Sequence, residues 1–124
     1  MKMNGLYIDS KGTKRWYLND KLHREDGPAY EHSNGVRSWY LNGKLHREGG
    51  PAVESPNGNK EWLRNGKLHR EDGPAIERND RIVMWYLDSA YLGKNAEGFW
   101  GLWEKLTPEQ QNNLNLHTWL AKYT

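Results

Sequence analysis

The feature that most restricts this chain is a period of 23 residues. Lys-Leu-His-Arg-Glu-(Asp/Gly)-Gly-Pro-Ala occupies residues 21–29, 44–52 and 67–75. Trp16, Trp39, Trp62 and Trp85 recur at the same spacing and extend the register to four units, the last of which lacks His-Arg-Glu. A fixed period of this length predicts a repeat architecture, in which each unit buries its surface against its neighbours. It also restricts function. A single active site needs one converging constellation, whereas a charged motif written three times predicts a row.

Within each unit, short aromatic runs alternate with turn residues, the pattern of strands. The runs are Lys14-Arg15-Trp16-Tyr17-Leu18, Arg37-Ser38-Trp39-Tyr40-Leu41, Lys60-Glu61-Trp62-Leu63-Arg64 and Val83-Met84-Trp85-Tyr86-Leu87. Each is followed by Asn19-Asp20, Asn42-Gly43, Asn65-Gly66 or Asp88-Ser89. Asn-Gly favours a type I′ hairpin because both central residues take positive φ. A second turn precedes each run, at Lys11-Gly12, Asn34-Gly35, Asn57-Gly58 and Asp80-Arg81. Residues 44–54 are then expected to return as a second strand, with Gly50-Pro51 as a bend or bulge. Two strands per unit advance a sheet by about 9–10 Å. Alternation places Trp39 and Leu41 on one face, and Val36, Ser38 and Tyr40 on the other.

Composition decides how such a sheet can be held together. Hydrophobic residues are 35% of the chain, but there are seven Trp and seven Tyr, and the mean hydropathy is −1.07. Aliphatic side chains are too scarce for a thick core, so aromatic rings must supply the buried area, on the order of 150–250 Å² for each ring fully covered. Eighteen basic and 16 acidic residues are interspersed for a net charge of +2, which argues against an acidic nucleic-acid mimic and against a stable nucleic-acid complex. With no cysteine, a disulfide frame and a thiolate metal site are excluded. Residues 1–6 carry no apolar run, and no stretch approaches 18 apolar residues, so no transmembrane segment and a cytoplasmic location are expected.

Past Tyr86 the period breaks. Asn95 is expected to cap a helix reaching about Leu106, with Phe99, Leu102, Trp103 and Leu106 as its apolar face; Gly98 and Gly101 weaken it. Thr107 as N-cap, Pro108 at the first helical position and Gln110 completing a capping box predict a second helix. Its stripe is Leu116, Trp119, Leu120 and Tyr123. These helices are the natural cover for the last strand, leaving the amino-terminal edge less protected. Residues 1–124 therefore read as one domain, mainly β: an antiparallel meander of four 23-residue hairpin repeats over residues 5–90, closed by a helical cap over residues 91–124.

An aromatic strand, then Gly43-Lys44-Leu45-His46 or Gly66-Lys67-Leu68-His69, then a later Asn-Gly, resembles MORN-type repeats. The 23-residue form is similar to that of bacterial antitoxin-like proteins and short phage proteins, over residues 5–90. Arg24, Arg47 and Arg70 stand where those repeats carry Gly after His, Asp20 replaces a turn Gly, and Glu-Asp-Gly-Pro-Ala is foreign to the motif. The resemblance implies an elongated β-meander serving as a binding scaffold, with a toxin or defence factor as partner and, for a phage protein, the host cytoplasm as location. The departures weaken any transfer of lipid binding.

Two readings of the motif are compatible. As structure, Arg and Glu pair along a ladder, His packs on a Trp or bonds a turn carbonyl, and Gly-Pro sets the bend. As a surface, His23, Arg24, His46, Arg47, His69 and Arg70, flanked by Tyr17 and Tyr40, form a row that grips a protein partner or an anion. No catalytic residue is expected, no cofactor, and no metal site, since one His and one carboxylate per unit fall short of a ligand set. The expected function is non-catalytic: a small inhibitor or antitoxin-like protein docking a host or bacterial protein. The alternatives are a sponge for a nucleotide or other anionic small molecule, at a subunit interface if the chain is a homo-oligomer, and binding to anionic lipid.

Overall fold

In the computed structural model, which describes residues 1–114, the repeat motif is divided between two rows of β-structure. The strands are β1 (Gly5–Ile8), β2 (Lys14–Leu18), β3 (Lys21–Leu22), β4 (Tyr30–Glu31), β5 (Arg37–Ser38), β6 (Tyr40–Leu41), β7 (Lys44–Leu45), β8 (Val53–Glu54), β9 (Lys60–Glu61), β10 (Leu63–Arg64), β11 (Lys67–Leu68), β12 (Ile76–Glu77), β13 (Val83–Leu87) and β14 (Ala90–Lys94). Two helices follow, α1 (Asn95–Lys105) and α2 (Pro108–Asn113). The fold is mainly β, an antiparallel meander of hairpin repeats with helices at its carboxyl end.

The main sheet runs β1-β2-β4-β5-β8-β9-β12-β13-β14. Its register sets Lys14 opposite Glu31, Glu31 opposite Arg37, Arg37 opposite Glu54, Glu54 opposite Lys60 and Lys60 opposite Glu77. Opposite charges therefore alternate from β2 to β12, each cross-strand pair adding roughly 0.2–1 kcal/mol. The second row consists of the hairpins β2/β3, β6/β7, β10/β11 and β13/β14.

The expected return strand over residues 44–54 does not run unbroken. Lys44–Leu45 stays in its hairpin, Val53–Glu54 joins the main sheet, and residues 46–52 loop between them. In units two and three the aromatic run also divides, at Trp39 and Trp62, so that its two halves serve different rows. The Trp backbone spans the break: Trp39 N–H donates to Ala52 O at 2.8 Å, and Trp39 O accepts from His46 N–H at 2.9 Å.

The two Asn-Gly turns of a unit differ. Asn42 and Gly43 both take positive φ (51° and 80°), as do Asn65 and Gly66 (51° and 79°), the type I′ geometry. In the preceding turn only the glycine does, at 97° in both Gly35 and Gly58. There Gly35 N–H donates to His32 O and His32 N–H to Val36 O, making a three-residue loop with a bulge.

The hydrophobic core lies at the carboxyl end, in Val83, Trp85, Phe99, Leu102, Leu106 and Leu114. Helix α1 forms as its apolar spacing predicts, but Asn95 is not its cap. Lys94 takes that position without a side-chain bond, because Asn95 Oδ1 accepts from Val83 N–H at 3.1 Å and ties the helix to β13. The glycines that weaken the helix in isolation allow it to dock. A Cβ on Gly98 would lie 1.9 Å from Trp85 Cδ1, and one on Gly101 would lie 2.6 Å from Leu92 O. Thr107 and Gln110 form the expected capping box at α2. Leu116, Trp119, Leu120 and Tyr123 lie outside the described residues. At the opposite end β1 is exposed throughout and forms the sheet edge. No helix among the described residues is long and apolar enough to cross a membrane.

Candidate binding site

The motif builds the same local device three times. Arg24 Cζ lies 4.0 Å from the centre of the Trp16 ring, Arg47 Cζ 3.8 Å from Trp39 and Arg70 Cζ 3.9 Å from Trp62. The opposite side of each guanidinium rests on a glycine: a Cβ on Gly27, Gly50 or Gly73 would come within 2.9, 2.9 and 2.6 Å of the Arg Cζ. The glycine is favoured by this approach, since a Cβ would have to displace the guanidinium, and not by its backbone angle. Each Arg Nη1 also donates to the carbonyl of the following proline, Pro28, Pro51 or Pro74, at 3.0–3.1 Å. Partly exposed cation–π contacts of this kind contribute about 1 kcal/mol. Gly-Pro-Ala is thereby explained. Gly admits the guanidinium, Pro turns its carbonyl towards it, and Ala29, Ala52 and Ala75 are fully buried while accepting the Trp N–H.

Each guanidinium has a carboxylate as well. Arg24 Nε donates to Asp26 at 3.0 Å and Arg70 Nε to Asp72 at 2.8 Å. Copy two has Gly49 in place of that Asp, and Arg47 Nη1 donates instead to Glu54 at 3.2 Å. The missing Asp is compensated by a residue seven positions on, which also holds Arg37 at 2.7 Å.

The histidines join one unit to the next. His23 Nδ1 accepts from Asn42 N–H at 2.9 Å, His46 Nδ1 from Asn65 N–H at 3.0 Å and His69 Nδ1 from Asp88 N–H at 3.0 Å. An accepting Nδ1 places the ring proton on Nε2, which faces Glu25, Glu48 and Glu71 at 3.6, 3.6 and 3.4 Å. The last contact is not aligned as a hydrogen bond. Backbone bonds complete each junction, as in Arg24 N–H to Tyr40 O and Gly43 N–H to Leu22 O.

Of the eight residues marked by the sequence, His23, Arg24, His46, Arg47, His69 and Arg70 thus repeat one arrangement in three successive units, with their polar atoms largely engaged, whereas Tyr17 and Tyr40 make their contacts elsewhere. Arg24, Arg47 and Arg70 are 26%, 30% and 15% exposed. Tyr17 packs edge-on against Tyr7 at 5.5 Å. Tyr40 is half-buried, and that burial, followed by the proximity of Tyr30, holds its phenol above the ordinary range. The outward groups are the glutamates that the sequence reading left inside the ladder: Glu25 and Glu48 are 85% and 87% exposed, Glu71 46%. Their presence in all three copies, where the neighbouring Asp is replaced in one, is the signal that marks them.

Between successive loops lie two clefts. One of about 720 Å³ is lined by Glu25, Pro28, Trp39, Leu41 and Glu48, and another of about 390 Å³ by Glu48, Trp62, Glu71 and, from α2, Gln110 and Asn113. Compared with known proteins, the chain matches no family model, no curated protein and no solved structure.

Proposed function

We propose that this chain is a non-catalytic binding protein that docks a partner protein through its repeat face. The observation that carries the reading is the threefold identity of the device, with clefts between its copies, where catalysis would call for one converging set of groups. His23, Arg24, His46, Arg47, His69 and Arg70 form the frame of the contact row, with Tyr17 and Tyr40 beside it. The resemblance to antitoxin-like and phage repeats supplies the partner class, a toxin or defence factor that the chain inhibits in a bacterial cytoplasm. The engaged state of the guanidinium forks weighs against the sequestration of a nucleotide.

The test is affinity capture from bacterial lysate, with retained proteins and small molecules both identified by mass spectrometry. One stoichiometric protein that co-elutes is expected. A nucleotide released intact on denaturation, without a protein partner, would replace docking by sequestration. Retention of neither would end the binding reading.

A further inference from the structure

We propose that the two clefts take the cationic side chains of an extended basic peptide segment, one Arg or Lys per cleft, borne at every third residue. The inference rests on the docking reading above and names the chemistry of the partner segment. In the first cleft both guanidiniums are already matched. Arg24 is held by Trp16, Pro28 O and Asp26, and Arg47 by Trp39, Pro51 O and Glu54. The carboxylates left facing outward are Glu25 and Glu48, with no partner among the described residues closer than their His Nε2 at 3.6 Å.

The second cleft repeats this pattern. Arg70 is engaged by Trp62, Pro74 O and Asp72, and Arg64 by Asp88 at 3.1 Å. Glu48 and Glu71 stand on either side. Each cleft is thus an indole-lined space between two glutamates, and Glu48 belongs to both. A cation seated there meets two carboxylates beside Trp39 or Trp62, whose rings already carry Arg47 and Arg70, whereas an anion meets like charge on both sides.

The spacing selects the backbone of the partner. Each repeat contributes two strands to the main sheet, so successive clefts are separated by about 9.4–9.8 Å. A polyproline II chain rises about 3.1 Å per residue with three residues per turn, so its side chains at i and i+3 recur on one face every ~9.3 Å. A β-strand, by contrast, presents one face at every second residue, at about 6.6 Å and then 13 Å. The match favours a proline-rich segment with Arg or Lys at i and i+3, a conformation that aromatic-lined grooves accept at low entropic cost.

The test is fluorescence anisotropy with a labelled (Pro-Pro-Arg)4 peptide, against a (Pro-Arg)4 peptide of equal charge. Saturable binding of the first is expected, with weaker binding of the second. Glu48→Gln should weaken the first about tenfold, equivalent to ~1.4 kcal/mol, because it borders both clefts. Glu25→Gln or Glu71→Gln should weaken it less, since each borders one. Exposed Glu→Gln changes leave the frame intact, and unchanged melting curves by circular dichroism check this. Equal affinity for the two peptides, no saturable binding, or full binding by a Glu25→Gln/Glu48→Gln/Glu71→Gln variant would overturn the proposal. If a lysate protein still co-elutes with that triple variant, the docking reading stands and only its basic-segment form is lost. If nothing co-elutes with the unmodified chain, the broader reading fails on its own.

Discussion

The first three units and the fourth place a Trp at the same phase and cover it by different means. Over Trp16, Trp39 and Trp62 lies a guanidinium backed by glycine. Over Trp85, where the unit lacks His-Arg-Glu, lies α1, with Gly98 against the indole and Phe99 edge-on at 5.8 Å. Trp85 is 0% exposed, whereas the other three are half-buried. The array is held by polar stacking and hydrogen bonds that can be copied from unit to unit, and the cap by an ordinary apolar core. The difference explains how a chain with so few aliphatic residues sustains a repeat: the planar side of Arg serves as apolar cover, while its edge is satisfied by Pro carbonyls and carboxylates.

The sharpest test of that contrast removes the rings. Trp85→Ala should cost about 3–5 kcal/mol, the range for a large core residue, and Trp39→Ala distinctly less because it is only partly buried. Equal losses in urea melts would mean that the two covers are equivalent.

Gly98→Ala is expected to destabilise by about 3 kcal/mol, the upper end of overpacking. The opposing helix-propensity gain of ~1 kcal/mol is smaller, and a rise in melting temperature would show that α1 does not rest on Trp85 as described. Gly50→Ala should cost about 1 kcal/mol, since the group it meets is the movable end of Arg47 at 2.9 Å. In an Arg47→Ala background the same change should cost nearly nothing, and a double-mutant cycle measures the coupling.

Smaller effects distinguish the turns. Ser89 takes φ 70° and Asp20 φ 68° where the middle units have glycine. Asp20 gains a compensating bond from Met3 N–H to its carboxylate, so Asp20→Gly should be near neutral, while Ser89→Gly should stabilise by up to about 1 kcal/mol. The smallest effect concerns acid. The Arg64 hydrogen bond holds Asp88 below the ordinary value of 3.8. A depressed carboxylate stabilises the fold above that value and ceases to do so as pH falls through its folded-state value. The melting difference between wild type and Asp88→Asn, slight because the side chain is exposed, should therefore be present at pH 6 and vanish towards pH 2.

Much of this was legible in the residues. Type I′ turns were readable at Asn42-Gly43 and Asn65-Gly66, and the capping box of α2 at Thr107 and Gln110. The same Asn-Gly dipeptide forms a different loop at residues 34–35, because the hydrogen bond between His32 and Val36 sets the loop length. Gly98 and Gly101 weaken a helix considered alone and become necessary only when β14 and Trp85 lie beneath it. The outward glutamates were hidden because a motif in one dimension does not say which of its charges face each other.

By itself the sequence determined the period, the strand class, the phase of the four Trp and the helical close, since these depend on local spacing and backbone preference. Only the tertiary structure decided which charge is satisfied within the motif and which is left exposed. That outcome depends on distances across loops and between units: Arg47 to Glu54, His46 to Asn65, Gly50 to the guanidinium above it.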